Sequence, residues 1–313
     1  MGRKSFGSLT GGVLATLFLA IASISFSEIC FLEPVAAQST SDRKAEVDRL
    51  LQQVWPLILA NRFREAIQVL ELTLIIYRDI KDRNGEATSL GNLGNAYRSL
   101  GQYQKAIDFY QQSLAIRKQI GDRDSEARSL INLGFAYSDL GQSQKTIDFF
   151  QQSLAIRKQI GDRNGEAGSL GILGGAYSDL GQYQKAIDFY QQSLAIYKQI
   201  GDRYGEAWSL NNLGSLYNSL GQYQKAIDFY QQSSAIREQI GDPNGEATSL
   251  NNLGEAYRNL GEYQKAIDFY QQSLAIKKQI GNREGEAASL NNLGLAYNYL
   301  GQYQKAIDFY QQS

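Results

Sequence analysis

One thirteen-residue segment, GQYQKAIDFYQQS, recurs along this chain and sets its organisation. Exact or near copies begin at six glycines spaced 40 residues apart without insertion: Gly101, Gly141, Gly181, Gly221, Gly261 and Gly301. A fixed period of this length predicts stacked supersecondary units, because one short unit cannot bury its own apolar face. The length of 313 residues therefore does not indicate two separate globular domains.

Each unit contains two segments with helical periodicity. In the first, residues 84–100, apolar side chains recur at three- and four-residue spacings, and the second, residues 103–120, has an equally wide apolar face. Gly101 and Gly121 follow these segments, where a left-handed residue commonly ends a helix. Asp82 or Asn84 is placed to cap the start of the first helix. The pattern predicts an all-α fold of stacked helix-turn-helix units.

These repeated residues resemble the signature of the tetratricopeptide repeat (TPR) family, whose Leu-Gly, Tyr, Ala, aromatic and Leu positions are occupied here by Leu93-Gly94, Tyr97, Ala106, Tyr110 and Leu114. The usual TPR period is about 34 residues. The 40-residue form is similar to the repeats of Leu-Gly-Asn repeat proteins and kinesin light chains. The resemblance covers about residues 44–313. It implies a right-handed α-solenoid whose first helices line a concave groove.

The first 37 residues differ from the rest and have the pattern of a secretory signal. Arg3 and Lys4 are followed by a mostly apolar stretch, and small residues precede a cleavage position after Ala37. We expect export to the periplasm or the exterior after cleavage near Ala37. An uncleaved membrane anchor is the alternative. The single cysteine, Cys30, would be removed with the signal.

Two further regions follow the signal. Residues 38–82 read as a divergent N-terminal helix pair, in which Pro56 would kink the first helix or start its final turns. Residues 83–313 form the tandem array, and its last second helix is cut short. Ile307, Phe309 and Tyr310 would then have no following helix to cover them. The chain could be a fragment, its end could pair with another molecule, or its end could fray.

Composition argues against most catalytic chemistry. The sequence has no histidine, and its single cysteine lies in the predicted signal. Zinc sites of Cys and His, and Ser–His or Cys–His pairs, are therefore excluded from the body of the chain. The net charge of −1 argues against a nucleic-acid partner. The glycine-rich stretch from Gly168 lies within a predicted helix, so it is not interpreted as a phosphate loop. We predict no enzyme, no cofactor, no metal and no small-molecule substrate.

A set of first-helix positions changes from unit to unit while the apolar stripe repeats. The resemblance places these positions on the concave groove. The candidate groove residues are Asn92, Asn95, Arg98, Arg128, Asn132, Phe135, Trp208, Asn211, Asn212, Asn252, Glu255, Arg258, Asn292, Leu295 and Tyr299.

Two features of this set suggest binding. Asparagine recurs at 92, 132, 212, 252 and 292, with Ile172 as the exception, and a side-chain amide can pair with any peptide backbone. These asparagines could instead bond to the neighbouring helix. Phe135, Trp208, Leu295 and Tyr299 are large apolar groups on an otherwise polar face, which core packing does not explain and which is typical of binding hot spots. Isolated surface apolar residues are the alternative.

Three functional hypotheses follow. The first is a non-catalytic exported scaffold that binds an unidentified peptide or partner protein in its groove. The second is the sensor part of a longer enzyme, because similar secreted bacterial arrays often precede a caspase-like protease domain. The third is a structural module that self-associates through its C-terminal end.

Overall fold

The computed structural model describes residues 39–313, and the predicted signal, residues 1–37, lies outside this range. Within it the chain forms helices joined by short turns, with no strand. The helices are α1 (Thr40–Leu59), α2 (Phe63–Asp79), α3 (Arg83–Ser99), α4 (Tyr103–Ile120), α5 (Arg123–Asp139), α6 (Ser143–Gln159), α7 (Arg163–Asp179), α8 (Tyr183–Ile200), α9 (Arg203–Ser219), α10 (Tyr223–Gln239), α11 (Pro243–Asn259), α12 (Tyr263–Gln279), α13 (Arg283–Tyr299) and α14 (Tyr303–Gln312). Odd-numbered helices are the first helices of their units, and even-numbered helices are the second. Units 1 to 6 begin at α3. Consecutive helices pack on each other, which confirms the all-α solenoid.

The helix ends follow from cap chemistry at the same place in every unit. Asp82 accepts a hydrogen bond from the Gly85 backbone N–H at 2.9 Å, so Asp82 is the cap and Asn84 lies inside the helix. Asn282 does the same at the start of α13. The glycine between the two helices of each unit has a positive φ, 72° at Gly101, as the sequence predicts.

The N-terminal helix pair starts with its own cap. Ser39 and Asp42 form a capping box at the start of α1. Pro56 lies in the last turn of α1, which continues to Leu59. The buried side chains Val47 and Val54 belong to this helix, which packs on α2.

Each unit is held together by a three-part stack. In unit 1 the rings of Tyr97 and Phe109 are parallel with centroids 5.2 Å apart, and the Lys105 ammonium lies 5.2 Å from the centroid of Tyr97. The same stack recurs in all six units. Gly94 faces the ring of Tyr110 so closely that a Cβ there would overlap it. The recurrent glycine of the first helix and the recurrent aromatic residue of the second helix therefore pack directly against each other.

Successive units are joined by buried hydroxyl groups. Ser233 donates to the Ala207 carbonyl oxygen at 2.9 Å and lies 3.0 Å from the hydroxyl of Ser249 in the next unit. Equivalent contacts join Ser193 to Ser209 and Ser273 to Ser289. These polar contacts inside the apolar stack connect one unit to the next.

The apolar side chains of the last helix, α14, differ in how far they are exposed. Ile307 and Tyr310 on α14 are 47% and 42% exposed. Phe309, however, stacks on Tyr297 at 5.3 Å and is half-buried. Phe309 is therefore covered on one side by a ring of its own unit. None of the helices described in residues 39–313 has the length and apolarity needed to cross a bilayer.

Candidate binding groove

The first helices form one layer of the stack. Cα atoms of α3 and α5, of α7 and α9, of α9 and α11, and of α11 and α13 come within 8 Å of each other. Side-chain hydrogen bonds also join these helices directly: Asn259 Nδ2 donates to Asn218 Oδ1 at 3.1 Å. The candidate groove residues all lie on these first helices, and their place on a concave inner side stays a prediction.

The asparagine ladder is partly bonded within the protein. Asn252 donates from Nδ2 to the Asn211 Oδ1 at 3.0 Å, and Asn292 donates to Asn251 Oδ1 at 2.9 Å. These pairs join neighbouring first helices, as the structural alternative expected. Each pair still leaves the amide nitrogen of one asparagine and the carbonyl oxygen of the other without a hydrogen-bond partner among residues 39–313. The equivalent Asn92, Asn132 and Asn212 are half-buried.

An aromatic and ionic cluster bridges units 1 and 2. The Phe135 ring packs edge-on against Phe150 at 5.2 Å, and the Arg98 guanidinium lies 5.3 Å from its centroid. Arg98 also pairs with Asp139 at 2.5 Å. Asn95 accepts a hydrogen bond from the Tyr110 hydroxyl at 2.7 Å. Core packing against Phe150 therefore explains part of the position of the Phe135 ring. The Arg98 guanidinium lies over one face of this ring.

The Trp208 indole packs against the preceding first helix, α7, at Gly171, where that helix has no side chain. A Cβ at Gly171 would overlap the indole ring, so the glycine provides the space that the indole occupies. The ring also packs on the buried cluster that contains Leu170 and Tyr197. The expectation that core packing does not explain Trp208 is therefore wrong for the buried part of its ring. The rest of the indole borders a cavity.

That cavity, about 210 Å³, lies between units 4 and 5. Trp208 and Asn211 line it together with Tyr204, which is 61% exposed. The buried Arg237 guanidinium lies 4.1 Å from the Tyr204 centroid and pairs with Asp242. An aromatic surface beside a neutralised cation suits an apolar or aromatic side chain.

The remaining candidates lie along the same helices. Arg128 pairs with Asp124 at 2.8 Å, and Arg258 lies 3.7 Å from Glu255. Tyr299 is 55% exposed, and its ring stacks on Tyr263 at 5.2 Å. Leu295 is half-buried. Several of the charged groove residues are thus neutralised by neighbours on the same or the next first helix.

Sequence reasoning missed a second row of variable positions, just after each cap. This row is Asn84, Asp124, Asn164, Tyr204, Asn244 and Glu284. Asn84 and Asp124 bond Arg117 and Arg157, whereas Tyr204 stacks on Arg237. Variation among the six units was the signal that could have found it. A second cavity of about 310 Å³ opens beside Asn244 and Glu284.

Four buried tyrosines of the second helices are not suited to act as bases. Burial raises the pKa of Tyr190 to about 12 and shifts the pKa values of Tyr110, Tyr230 and Tyr270 upward. These phenols therefore stay protonated at neutral pH. Among residues 39–313 no three carboxylate, thiol or imidazole side chains cluster as metal ligands.

The tetratricopeptide repeat profile matches residues 57–119, 106–159, 125–199, 165–239 and 245–313. No curated protein sequence matches significantly. A putative kinesin light chain with nearly identical TPR-like repeats from Podosopora anserina is 26% identical, with a TM-score of 0.52 over 60% of this chain and 93% of that one. This confirms the predicted similarity to kinesin light chain repeats.

Two other solved structures share the fold at lower identity. BtubC from P. vanneervenii is 20% identical, with a TM-score of 0.59, and the match covers 78% of this chain and 93% of that one. A signal transduction ATPase with numerous domains (STAND) and a tetratricopeptide repeat sensor, from Pyrococcus horikoshii, is 18% identical with a TM-score of 0.69. That match covers 87% of this chain and 42% of that one. Because the profile matches span most of the sequence and agree with its stacked helix pairs, the chain belongs to the tetratricopeptide repeat family.

Proposed function

We propose that this protein is a non-catalytic scaffold whose inner groove binds an extended peptide or a segment of a partner protein. The observation that carries the proposal is the contrast between constant packing positions and changing groove positions. Phe135 and Trp208 each occur in one unit, where the equivalent positions of most other units carry small or polar residues. Stacking alone does not require such differences between units, whereas recognition of a particular sequence does.

The amide ladder supports the same proposal. The Asn252–Asn211 pair uses one donor and one acceptor of its two amides. The Asn211 amide nitrogen and the Asn252 carbonyl oxygen can form hydrogen bonds with the backbone of an extended chain, which presents a donor and an acceptor at each residue. The ladder would then supply affinity without sequence preference. Phe135 and Trp208 would supply specificity.

The groove test uses a displayed peptide library selected on the immobilised full-length protein. Wild-type protein is expected to enrich a consensus peptide, and the variant with Phe135→Ala and Trp208→Ala is expected to bind it at least tenfold more weakly. That loss corresponds to about 1.4 kcal/mol or more. Binding is measured by calorimetry with the synthetic consensus peptide.

The matched control is Gln111→Ala with Gln151→Ala on the exposed faces of second helices. These changes should leave the affinity unchanged. Circular dichroism melting checks that the double aromatic variant is folded. If the folded aromatic variant binds the consensus peptide as tightly as wild type, the groove does not hold that peptide.

A second candidate is that the array is the sensor part of a longer enzyme. The observation that favours it is the STAND ATPase, in which a tetratricopeptide repeat sensor is one part of a larger protein. A caspase-like protease domain is the partner domain that the TPR resemblance suggests. The intact mass of the native protein tests this candidate. A mass far above 34.9 kDa would support it.

Export and cleavage near Ala37 are part of the scaffold proposal and rest on the signal pattern of residues 1–37. The same mass measurement tests them. Cleavage predicts roughly 31 kDa, after subtraction of a 37-residue signal. An uncut 34.9 kDa chain in the membrane fraction would support the anchored alternative.

Self-association is the third candidate. It is favoured by the exposed Ile307 and Tyr310 on α14. Sedimentation velocity at rising concentration tests it, with Ile307→Glu as the comparison. A strictly monomeric wild-type protein at the highest concentration would contradict this candidate.

A further inference from the structure

A buried cation near the end of the second helix recurs at four of the five junctions between units 1 to 6, and Tyr197 occupies the position at the fifth. Arg117 pairs with Asp122 at 2.9 Å, Arg157 pairs with Asp162 at 2.6 Å, and Arg237 pairs with Asp242. In each case the carboxylate is the cap of the next first helix. The cap therefore serves both the helix N-terminus and the buried cation.

The junction between α12 and α13 departs from this rule at both partners. Lys277 occupies the arginine position and is 7% exposed, and Asn282 occupies the aspartate position. The Lys277 ammonium donates to Asn244 Oδ1 at 2.7 Å and to the Asn244 carbonyl oxygen at 3.4 Å. Asn282 donates to the same Asn244 Oδ1 at 3.0 Å. Within residues 39–313 no carboxylate oxygen lies within 4.0 Å of this ammonium.

This uncompensated cation borders the larger cavity of the groove. The cavity, about 310 Å³, is lined by Lys277, Asn244, Asn282, Thr248 and Asn251, among others. Ala288 also lines it, at the position where unit 2 has Arg128 and unit 4 has Trp208. The small side chain leaves the space open. The third N–H donor of the ammonium has no carbonyl or carboxylate partner in the described chain.

The nearby charges leave the cation unneutralised. Asp242, the cap of α11, attracts the Lys277 ammonium electrostatically, but its carboxylate is paired with Arg237. Glu284 lines the cavity and is exposed. Burial lowers the pKa of Lys277, as expected for an ammonium that is removed from water without a counter-ion. Buried cations in proteins are normally paired.

We propose that this cavity binds a carboxylate group of the groove ligand, with Lys277 as its counter-ion and Thr248 and Asn282 as neighbouring polar groups. The inference rests on the proposed groove function and names one chemical group of the ligand. That carboxylate is either the C-terminus of a peptide or an Asp or Glu side chain. A carboxylate here completes the ion pair that Asp122, Asp162 and Asp242 form at three other junctions.

The test uses three short probes with the full-length protein. One is acetylated triglycine with a free C-terminus, one is the acetylated and amidated peptide Gly-Glu-Gly, and the third is its neutral Gln analogue. Binding is followed by NMR with selective ¹⁵N-lysine labelling. The Lys277 resonance is identified by its loss in Lys277→Met. The two acidic probes report separately on a terminal and a side-chain carboxylate.

The decisive variant is Asn282→Asp, which supplies the internal carboxylate found at the other junctions. We expect it to fold normally and to weaken binding of the acidic probe at least tenfold, because the ligand site is filled from within. Lys277→Met should lose binding to a similar extent. Lys278→Met, at the exposed neighbour that faces Glu286 at 3.9 Å, should not change it. Glu284→Gln, which removes the competing carboxylate, should tighten it.

The outcomes separate this inference from the groove proposal. A Lys277 shift caused by an acidic probe but not by the Gln analogue, and lost in Asn282→Asp, supports the carboxylate site even if Phe135 and Trp208 prove unimportant. No shift of Lys277 at saturating probe overturns it. Equal binding by wild type and Asn282→Asp also overturns it, whatever the result of the peptide selection.

Discussion

The indole of Trp208 in unit 4 lies over Gly171 in unit 3, in space that any Cβ at residue 171 would occupy. The two residues lie on successive first helices, α9 and α7. At the equivalent position in unit 1, Gly91, a Cβ would meet only the Ser113 hydroxyl oxygen at 3.6 Å. The same residue type therefore has a different structural role in two copies of one repeat.

This relationship predicts opposite effects of the same substitution. Gly91→Ala should raise the free energy of unfolding by up to about 1 kcal/mol, because alanine favours the helix. Gly171→Ala should lower it by about 1–3 kcal/mol, because the indole must move. Urea denaturation measures both. In a Trp55→Phe background, Gly171→Ala should also shift the Trp208 emission to the red.

The double variant is the control for the indole contact. When Trp208→Ala is already present, Gly171→Ala should become stabilising, as Gly91→Ala is. A destabilising effect that persists without the indole would show that another contact constrains residue 171.

A second prediction concerns the cap Asp242 and the buried cation Arg237. Asp242→Asn keeps the cap but removes the carboxylate, and it should cost about 2 kcal/mol. This is less than for a fully buried pair, because Asp242 is 23% exposed. Asp242→Ala also loses the cap and should cost about 1 kcal/mol more. Chemical denaturation at neutral pH measures both.

The control for this prediction is Asp82→Asn. Asp82 caps α3 in the same way, but Tyr77 stands where units 1, 2, 4 and 5 carry a cation. Asparagine and aspartate are about equally good caps. Asp82→Asn should therefore change stability by less than about 0.5 kcal/mol. A cost equal to that of Asp242→Asn would argue that the cap, and not the ion pair, is responsible.

A third prediction concerns alkaline pH. Burial raises the pKa of Tyr190 in the folded protein to about 12, whereas an unfolded tyrosine titrates near pH 10. The unfolded state therefore loses its proton first. The stability from this group is fully present below about pH 10 and is lost as pH rises through about 12, by about 2–3 kcal/mol. Denaturation curves between about pH 8 and 12 measure the loss.

Tyr190→Phe should reduce this alkaline loss and leave the protein folded, because Phe150 occupies the equivalent position in unit 2. If the stability of Tyr190→Phe falls as much as that of the wild type between about pH 8 and 12, this phenol is not the cause.

A fourth prediction concerns the hydroxyl groups between units. Ser153 and Ser169 are fully buried or nearly so, and neither hydroxyl has a hydrogen-bond partner. Replacing both with alanine should leave stability unchanged or raise it by up to about 1 kcal/mol. Ser233→Ala should instead cost about 1–2 kcal/mol, because it leaves Ser249 without this contact. Thermal melts compare the two variants, and equal losses would contradict the prediction.

The groove could be predicted only in part, as three of its residues show. Variation among the units identified Trp208 and Phe135, because it marks positions that stacking does not constrain. The sequence could not show that Trp208 fills the gap above Gly171, since these residues are 37 positions apart and meet only across a unit junction. Lys277 was missed because its neighbours in sequence match those of the other units. The substitution that leaves it without a carboxylate partner is at Asn282, where the other units have aspartate.

The sequence by itself determined the helices, their ends and their stacking. The 40-residue period, the Asp82-type caps and the Gly101-type turns are local signals, and each acts on the backbone within a few residues. The tertiary structure alone decided which polar and aromatic groups are paired. Arg98 meets Asp139, Asn252 meets Asn211, and Lys277 meets no carboxylate in the described chain, because these partners are brought together by the packing of whole units. A repeat fixes the path of the chain, and the contacts between its copies decide which groups remain free to bind.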